Sequence, residues 1–336
     1  MATAAPERVL IVLLGAIGDV VRGLPLLMRL RAAWPQAHIT WAVEPLSAPV
    51  VQGHPALDEV IVFERRGGAR AFAAFLQRIR AVRPDVTLDL QRHLKSGVTS
   101  RVSGARPRLG FARANSREGN WLFNNAHVPA RPHYSSKLAH FLTFADRLGL
   151  PPAPVAFGLR PTADEERHAD ELLAGIAQPF LAAFVGSSCE SRLWFPDRTA
   201  RVIEAVAAQG MATVLLGGPG DVGFAGEVEA QCGVPLRNLA GRTGLRDLFA
   251  IFARSAVAFG PDSGPMHIAA AVGAPVVSMW GATSAARSMP WGSEDGLLQG
   301  QADCMPCFRK TCPIGRVCMQ TIAVEAAVGR ILAKRR

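Results

Sequence analysis

Two glycine-bearing turns in this chain have the composition of anion-handling loops. The first, Gly15-Ala16-Ile17-Gly18-Asp19, directly follows the apolar run Val9–Leu14 and precedes a stretch with helical spacing. Glycine lets the backbone bend sharply and approach a ligand, and free amides at a helix start favour negative charge. The stretch lacks the third glycine of a dinucleotide fingerprint and the Gly-Lys-Ser/Thr of a P-loop. Asp19 reads either as a helix N-cap or as a general base facing a cleft. The second turn is Gly260-Pro261-Asp262-Ser263-Gly264-Pro265-Met266-His267. Asp262 or Ser263 could cap the helix that follows, Pro265 suits its first turn, and Gly264 permits close approach, so a diphosphate could rest on the free amides. An ordinary capped turn accounts for the Asp, Ser and Pro but leaves the Gly and His267 unexplained.

Arg65 and Arg66 follow one apolar run, and Arg92, His93 and Lys95 follow another. They read either as loops meeting an acidic ligand or as a solvated positive face.

Elements of a particular kind must carry these turns. Short apolar runs at Val9–Leu14, Ile39–Val43, Val60–Phe63 and Val86–Leu90 alternate with helical patterns at Val20–Ala33, Arg70–Val82 and Leu94–Val102, as in a parallel sheet flanked by helices. The proline-rich passage Leu150-Pro151-Pro152-Ala153-Pro154 cannot continue a helix and reads as a linker. A second set follows, with strands expected at Phe180–Val185, Ala212–Leu216, Ala256–Phe259 and Pro275–Met279, and helices starting near Pro196, Asp221, Leu245 and Pro265. The expectation is an α/β protein of two doubly wound domains, 1–152 and 153–320, with a cleft at the carboxyl edges of their sheets. Residues 321–336 are expected to form a closing helix that could pack back onto the first domain.

A length of 336 residues with 49% hydrophobic content suits two buried cores and disfavours disorder. The apolar stretch Val9–Ile17 is too short to span a bilayer and lacks the basic start and cleavage site of a secretory signal. A cytoplasmic protein without a transmembrane segment is expected. The net charge of +10 attracts anions, and Lys95, Lys137, Lys310 and Lys334 are the only lysines among 37 basic residues. Nucleic acid is disfavoured as a partner, because no helix-turn-helix, zinc-finger or RNA-binding signature is present and there is a single Tyr.

Taken together, Gly18-Asp19, Asp262-Ser263-Gly264-Pro265-Met266-His267 with Ala269-Ala270-Ala271, and Gly281-Ala282-Thr283 resemble the hallmarks of glycosyltransferase family 9, the lipopolysaccharide heptosyltransferases. Leu216-Gly217-Gly218-Pro219, Ala240-Gly241-Arg242-Thr243 and Leu94-Lys95-Ser96 agree in the same order along nearly the whole chain. The resemblance implies a GT-B architecture, two Rossmann-like domains facing across a cleft, and inverting, metal-independent transfer of heptose from ADP-heptose to a lipopolysaccharide inner-core acceptor. It assigns Asp19 as the base. Ser187, Ser188, Gly218, Asp262, Ser263, Gly264, Pro265, Met266 and His267 are assigned to the donor, with His267 binding rather than moving a proton. Gly18, Arg65, Arg66, His93 and Lys95 are placed toward an anionic, lipid-linked saccharide acceptor, and a peripheral location at the inner face of the inner membrane goes with it.

The family typically carries a Lys shortly before Trp-Pro. Here Ser191-Arg192-Leu193-Trp194-Phe195-Pro196 puts Arg192 in its place and Phe195 between Trp and Pro. A guanidinium can grip a departing diphosphate in a forked geometry. Other family acceptors, protein or a different glycan, and a non-catalytic sugar-nucleotide-binding module are the alternatives. Retention of Asp19 and of a cation at position 192 speaks against the module.

Four of the six cysteines form Cys304-x2-Cys307-x4-Cys312-x5-Cys318. The spacing suggests a candidate structural metal site, looser than two Cys-x2-Cys pairs, and the resemblance argues for a structural element. No cofactor is expected for catalysis. Cys189 and Cys232 are expected to be unpaired.

Overall fold

Runs of β-branched and aliphatic residues build strands that are buried on both faces, as parallel sheets covered by helices require. The computed structural model describes residues 5–336. It divides into two units, one ending at Gly158 and the other running from Leu159 to Arg336. In the first unit the strands are β1 (Arg8–Val12), β2 (His38–Val43), β3 (Glu59–Val62), β4 (Val86–Asp89), β5 (Arg108–Phe111) and β6 (Ala126–Val128), and the helices are α1 (Ile17–Ala33), α2 (Ala48–Val51), α3 (Gly68–Val82), α4 (Leu94–Val102) and α5 (Lys137–Arg147). The second unit holds β7 (Phe180–Phe184), β8 (Ala212–Leu216), β9 (Arg237–Asn238), β10 (Val257–Pro261), β11 (Val276–Trp280) and β12 (Leu297–Gln299). Its helices are α6 (Ala163–Leu172), α7 (Pro196–Ala207), α8 (Val222–Gln231), α9 (Asp247–Arg254), α10 (Gly264–Ala271), α11 (Ala285–Ser288), α12 (Val317–Gln320) and α13 (Val324–Lys334).

The sheets are ordered β3-β2-β1-β4-β5-β6 and β12-β11-β10-β7-β8-β9. All pairs are parallel, with Val9 opposite both Ile39 and Val86, and Ala258 opposite both Val276 and Ala182. Counted from each unit's own first strand, both follow the doubly wound order 3-2-1-4-5-6. The order reverses between β1 and β4 and between β7 and β10, and the crevice beyond the carboxyl ends of such a strand pair is where open α/β sheets bind ligands.

In the first unit α3 lays Phe75, Ile79 and Val82 on Leu10, Val12, Ala42 and Ile61. In the second, Val202, Ile203 and Val206 of α7 share a core with Leu181, Leu215, Val257 and Val277. Gly260 marks a tight place, because a Cβ there would lie 2.5 Å from the Phe184 carbonyl oxygen of the neighbouring strand.

Before the division at Gly158, Arg29 of α1 donates to the carbonyls of Leu150 and Pro151, and His54 Nε2 lies 2.9 Å from the Phe157 carbonyl. The proline-rich passage is thus pinned to the first unit. The closing helix contributes its apolar face to the core of the second unit. Val324, Ala327 and Ile331 of α13 belong to that core, and the helix packs on α7 and β11.

Candidate active site

At the first reversal point the turn after β1 is held from the neighbouring strand. Gln91, just past β4, accepts a hydrogen bond from Leu14 N at 2.8 Å and donates to the Gly15 carbonyl at 3.2 Å. This fixes the start of α1, whose N-cap is Ala16, so Asp19 sits inside the first turn and its side chain makes no cap bond. Lys137, the first residue of α5, instead places Nζ 2.8 Å from Asp19 Oδ1 and 3.0 Å from Oδ2, and Arg22 donates to Oδ1. Burial would raise the Asp19 pKa, but the charges of Lys137 and Arg22 outweigh it and hold the carboxyl well below the usual range. Asp19 is therefore an ionised acceptor with 22% of its side chain exposed.

Gly18 is buried in the same turn, and Arg65 and Arg66 are exposed after β3. His93 precedes α4 and pairs with Glu118 at 3.1 Å, while Lys95 lies 5.7 Å from the Phe63 ring centroid. All of these follow carboxyl ends of strands in the first sheet. Beneath the α4 loop lies Asp89, fully buried at the end of β4, accepting from Asn120 at 2.7 Å and Asn124 at 3.2 Å. Burial pushes its carboxyl up to about 7, against the lowering effect of the two amides.

The second reversal point gathers most of the remaining expected residues. Ser187 Oγ donates to the Asp262 carbonyl at 3.1 Å, which ties the loop after β7 to the loop after β10. The Asp262 carboxylate accepts from Thr283 Oγ1 at 2.7 Å and lies 3.3 Å from an Arg192 nitrogen. Asp262 and Ser263 do not cap α10: Ser263 is the N-cap by position but makes no cap bond. Ser263 Oγ and Arg192 Nε are buried without a hydrogen-bond partner. Gly264 and Pro265 open α10, and His267 is 4% exposed. Two residues stand apart. Met266 is 1% exposed and packs under Gly260, and Ser188 is exposed with its hydroxyl near Cys189 Sγ. Gly218, after β8, donates to Asp221 Oδ2 at 2.8 Å. A concavity of 490 Å³ lined by Gly273, Pro275, Trp291 and Lys334 lies at the opposite, entry end of β11.

Residues 72–318 match the sequence profile of glycosyltransferase family 9 (heptosyltransferase). The chain belongs to that family. It is 26% identical over 300 residues to the lipopolysaccharide core heptosyltransferase OpsX of Haemophilus influenzae, covering 88% of this chain and 85% of the relative. Among solved structures it resembles a glycosyltransferase family 9 protein of Veillonella parvula, with a TM-score of 0.83 at 21% identity and 97% coverage of both chains. It also resembles the ADP-heptose lps heptosyltransferase II of E. coli, with a TM-score of 0.78 at 19% identity, covering 97% of this chain and 98% of the other. The family 9 membership makes the protein a glycosyltransferase, and its fold is of the GT-B kind.

For a family 9 enzyme the cysteine-rich segment has an informative position. It braces the loop that carries Arg192: Ser191 N donates to the Lys310 carbonyl at 3.1 Å, Cys312 N donates to Glu190 Oε2 at 3.0 Å, and Arg316 donates to the Leu193 and Trp194 carbonyls at 3.2 and 3.1 Å. Burial and the nearby thiols of Cys304, Cys312 and Cys307 push the Cys318 thiol up. Among the described residues no three His, Cys, Asp or Glu side chains form a group able to hold a metal. None of the described helices is long and apolar enough to cross a membrane. Sequence reasoning missed Lys137, Arg22 and Arg316. Lys137 lies 118 positions from Asp19, and only its rarity in an arginine-rich chain set it apart.

Proposed function

We propose that this enzyme transfers heptose from ADP-heptose to an anionic, lipid-linked lipopolysaccharide inner-core acceptor, with inversion and without a catalytic metal, working at the inner face of the inner membrane. The observation that carries the reading is the pair of buried, unpartnered donors, Arg192 Nε and Ser263 Oγ, beside the uncapped first turn of α10. Buried donors without partners are costly, so a site that keeps them calls for an acceptor-rich ligand. A diphosphate supplies one, and the curated relative and the solved neighbour both carry heptosyltransferase names.

The acceptor oxygen attacks the anomeric carbon as the bond from that carbon to the diphosphate breaks, and both electrons of the breaking bond leave with ADP. Arg192, Ser263 Oγ and the α10 amides receive the charge developing on the phosphate, a role that in other transferases falls to a divalent cation. Asp19 takes the hydroxyl proton. Inversion requires one such base and no second carboxylate as nucleophile. Asp89, at the end of the strand beside β1, is fully buried and unsuited to attack.

The test is incubation with a panel of nucleotide sugars and truncated core lipids, read by mass spectrometry and by NMR of the new anomeric centre. One heptose added from the ADP donor with inverted configuration, in the presence of EDTA, is the expected result. Transfer from a different sugar nucleotide, retention, or loss of activity on chelation would each overturn the corresponding part. A structural metal on Cys304, Cys307, Cys312 and Cys318 is tested separately by metal analysis of the purified protein, where stoichiometric zinc or iron is the supporting outcome.

A further inference from the structure

Asp19 is gripped unequally at its two oxygens. Oδ1 receives both Arg22 and Lys137, whereas Oδ2 receives Lys137 alone. A carboxylate oxygen has about two lone-pair positions, so Oδ1 is filled and Oδ2 keeps one open. The side chains of Asp19 and Lys137 are 22% and 20% exposed, which leaves that position reachable. The ammonium comes from a rigid support. Ser136 caps α5 through Ala139 N, the helix buries Leu138, Phe141, Phe144 and Ala145, and it packs along α1.

We propose that Lys137 is the positioning residue of the transfer reaction, clamping Asp19 so that Oδ2 is the atom that takes the acceptor proton. The inference rests on the reading of Asp19 as the base. A carboxylate so stabilised is too weak to strip a neutral alcohol. It is sufficient for the oxygen once bond formation to the anomeric carbon has made that oxygen acidic. The new carbon–oxygen bond therefore forms as the bond to phosphate breaks, the electron pair of the breaking bond leaving on ADP, and the proton passes late in that step from the now positively charged oxygen to Oδ2 and on to water. Among the described residues the charged groups set against Asp19 are Lys137 from α5 and Arg22 from its own helix. The other helix packed on α1, Ala48–Val51, has no ionisable side chain.

The experiment compares Lys137→Met, Lys137→Gln and Lys137→Arg with the parent enzyme, measuring kcat/KM from pH 4 to 9 alongside ADP affinity. Without the Lys137 charge the burial of Asp19 is opposed by Arg22 alone, so in the Met and Gln variants an acid limb is expected to rise into the measured range, where the parent rate is flat, while ADP affinity stays unchanged. The Arg variant is expected to return the limb close to its original place. Lys137→Gln keeps a donor beside Asp19 without the charge and gives the same reading where the Met variant folds poorly. An unmoved acid limb in both neutral variants, or a parallel loss of ADP affinity, overturns the role of Lys137. Asp19→Asn separates the two levels: retained turnover there removes the base itself, whereas an inactive Asp19→Asn with an unmoved limb in the Lys137 variants removes only the clamp.

Discussion

Arg192 and Asp89 show how single side chains at a strand end divide their work. Arg192 has one nitrogen 3.3 Å from Asp262 and a buried Nε without a partner, so part of its fork is anchored and part is available to phosphate. Arg192→Ala should lower kcat by about 100-fold, the scale for losing one preorganised donor at a developing anion. Arg192→Lys should recover part of that loss, because an ammonium can still pair with Asp262. Steady-state kinetics with saturating donor checks both, and an alanine variant with normal kcat would remove Arg192 from leaving-group stabilisation. Asp89 acts on stability. Folded, it keeps its proton up to about 7; unfolded, it gives it up near ~3.9. Between those values the unfolded state binds fewer protons, so stability should fall as pH rises from about 4 to about 7 and be free of this penalty below that window. Thermal unfolding across that range should show a flatter profile in Asp89→Asn, and an equal slope in both proteins would refute the assignment.

Elements position these residues through close approaches that local sequence reports unevenly. Gly260 faces the Phe184 carbonyl across the β7–β10 pair, and the Ser187–Arg192 and Asp262–Ser263 segments follow directly from those two strands. Gly260→Ala should cost about 1–3 kcal/mol, the range for overpacking, and weaken ADP binding by spreading the strand pair. Calorimetry on the purified variant measures both. The cysteine-rich segment makes a second prediction at this scale. Arg316 bonds the Leu193 and Trp194 carbonyls, pairs with Glu190 at 3.0 Å and lies 4.5 Å over the Phe195 ring. Arg316→Ala should raise the donor KM about tenfold, equivalent to ~1.4 kcal/mol, without moving the acid limb. A shifted limb would mean that the brace does more than hold Arg192.

The buried strands β1, β2, β4, β7 and β8 were legible because continuous apolar runs bounded by turn residues have few other uses. The short β5, β6, β9 and β12 were not, because their pairing comes from the neighbouring strand rather than from their own composition. Helix α6 was missed for a related reason: Ala163–Leu172 is mostly charged, and its signal is the capping box formed by Thr162 and Glu165. Asp19 and the Asp262 turn stood out by type and local order, and Arg192 through the resemblance to the family pattern before Trp194. Lys137 and Arg316 act across more than a hundred residues, where spacing carries no information.

At the scale of the molecule, the residues proposed for the donor and those proposed for proton acceptance lie in separate units. Arg192, Asp262, Ser263 and Thr283 lie in the second unit, and Asp19, Arg22 and Lys137 in the first. The second unit has its own six-stranded sheet and a core that runs from Leu181 on β7 to Ile331 on α13. A unit with its own sheet and core should fold alone. The fragment 159–336 should therefore unfold cooperatively, bind ADP with an affinity close to that of the whole chain, and transfer nothing. Ending the same fragment at residue 320 should abolish that folding, because Ala327 and Ile331 are fully buried and their loss leaves a cavity over α7 and β11. Isothermal titration with ADP and thermal unfolding of the two fragments test this. A fragment 159–336 that folds yet binds ADP only when residues 1–158 are supplied would place part of the nucleotide site in the first unit and end the division of labour argued here.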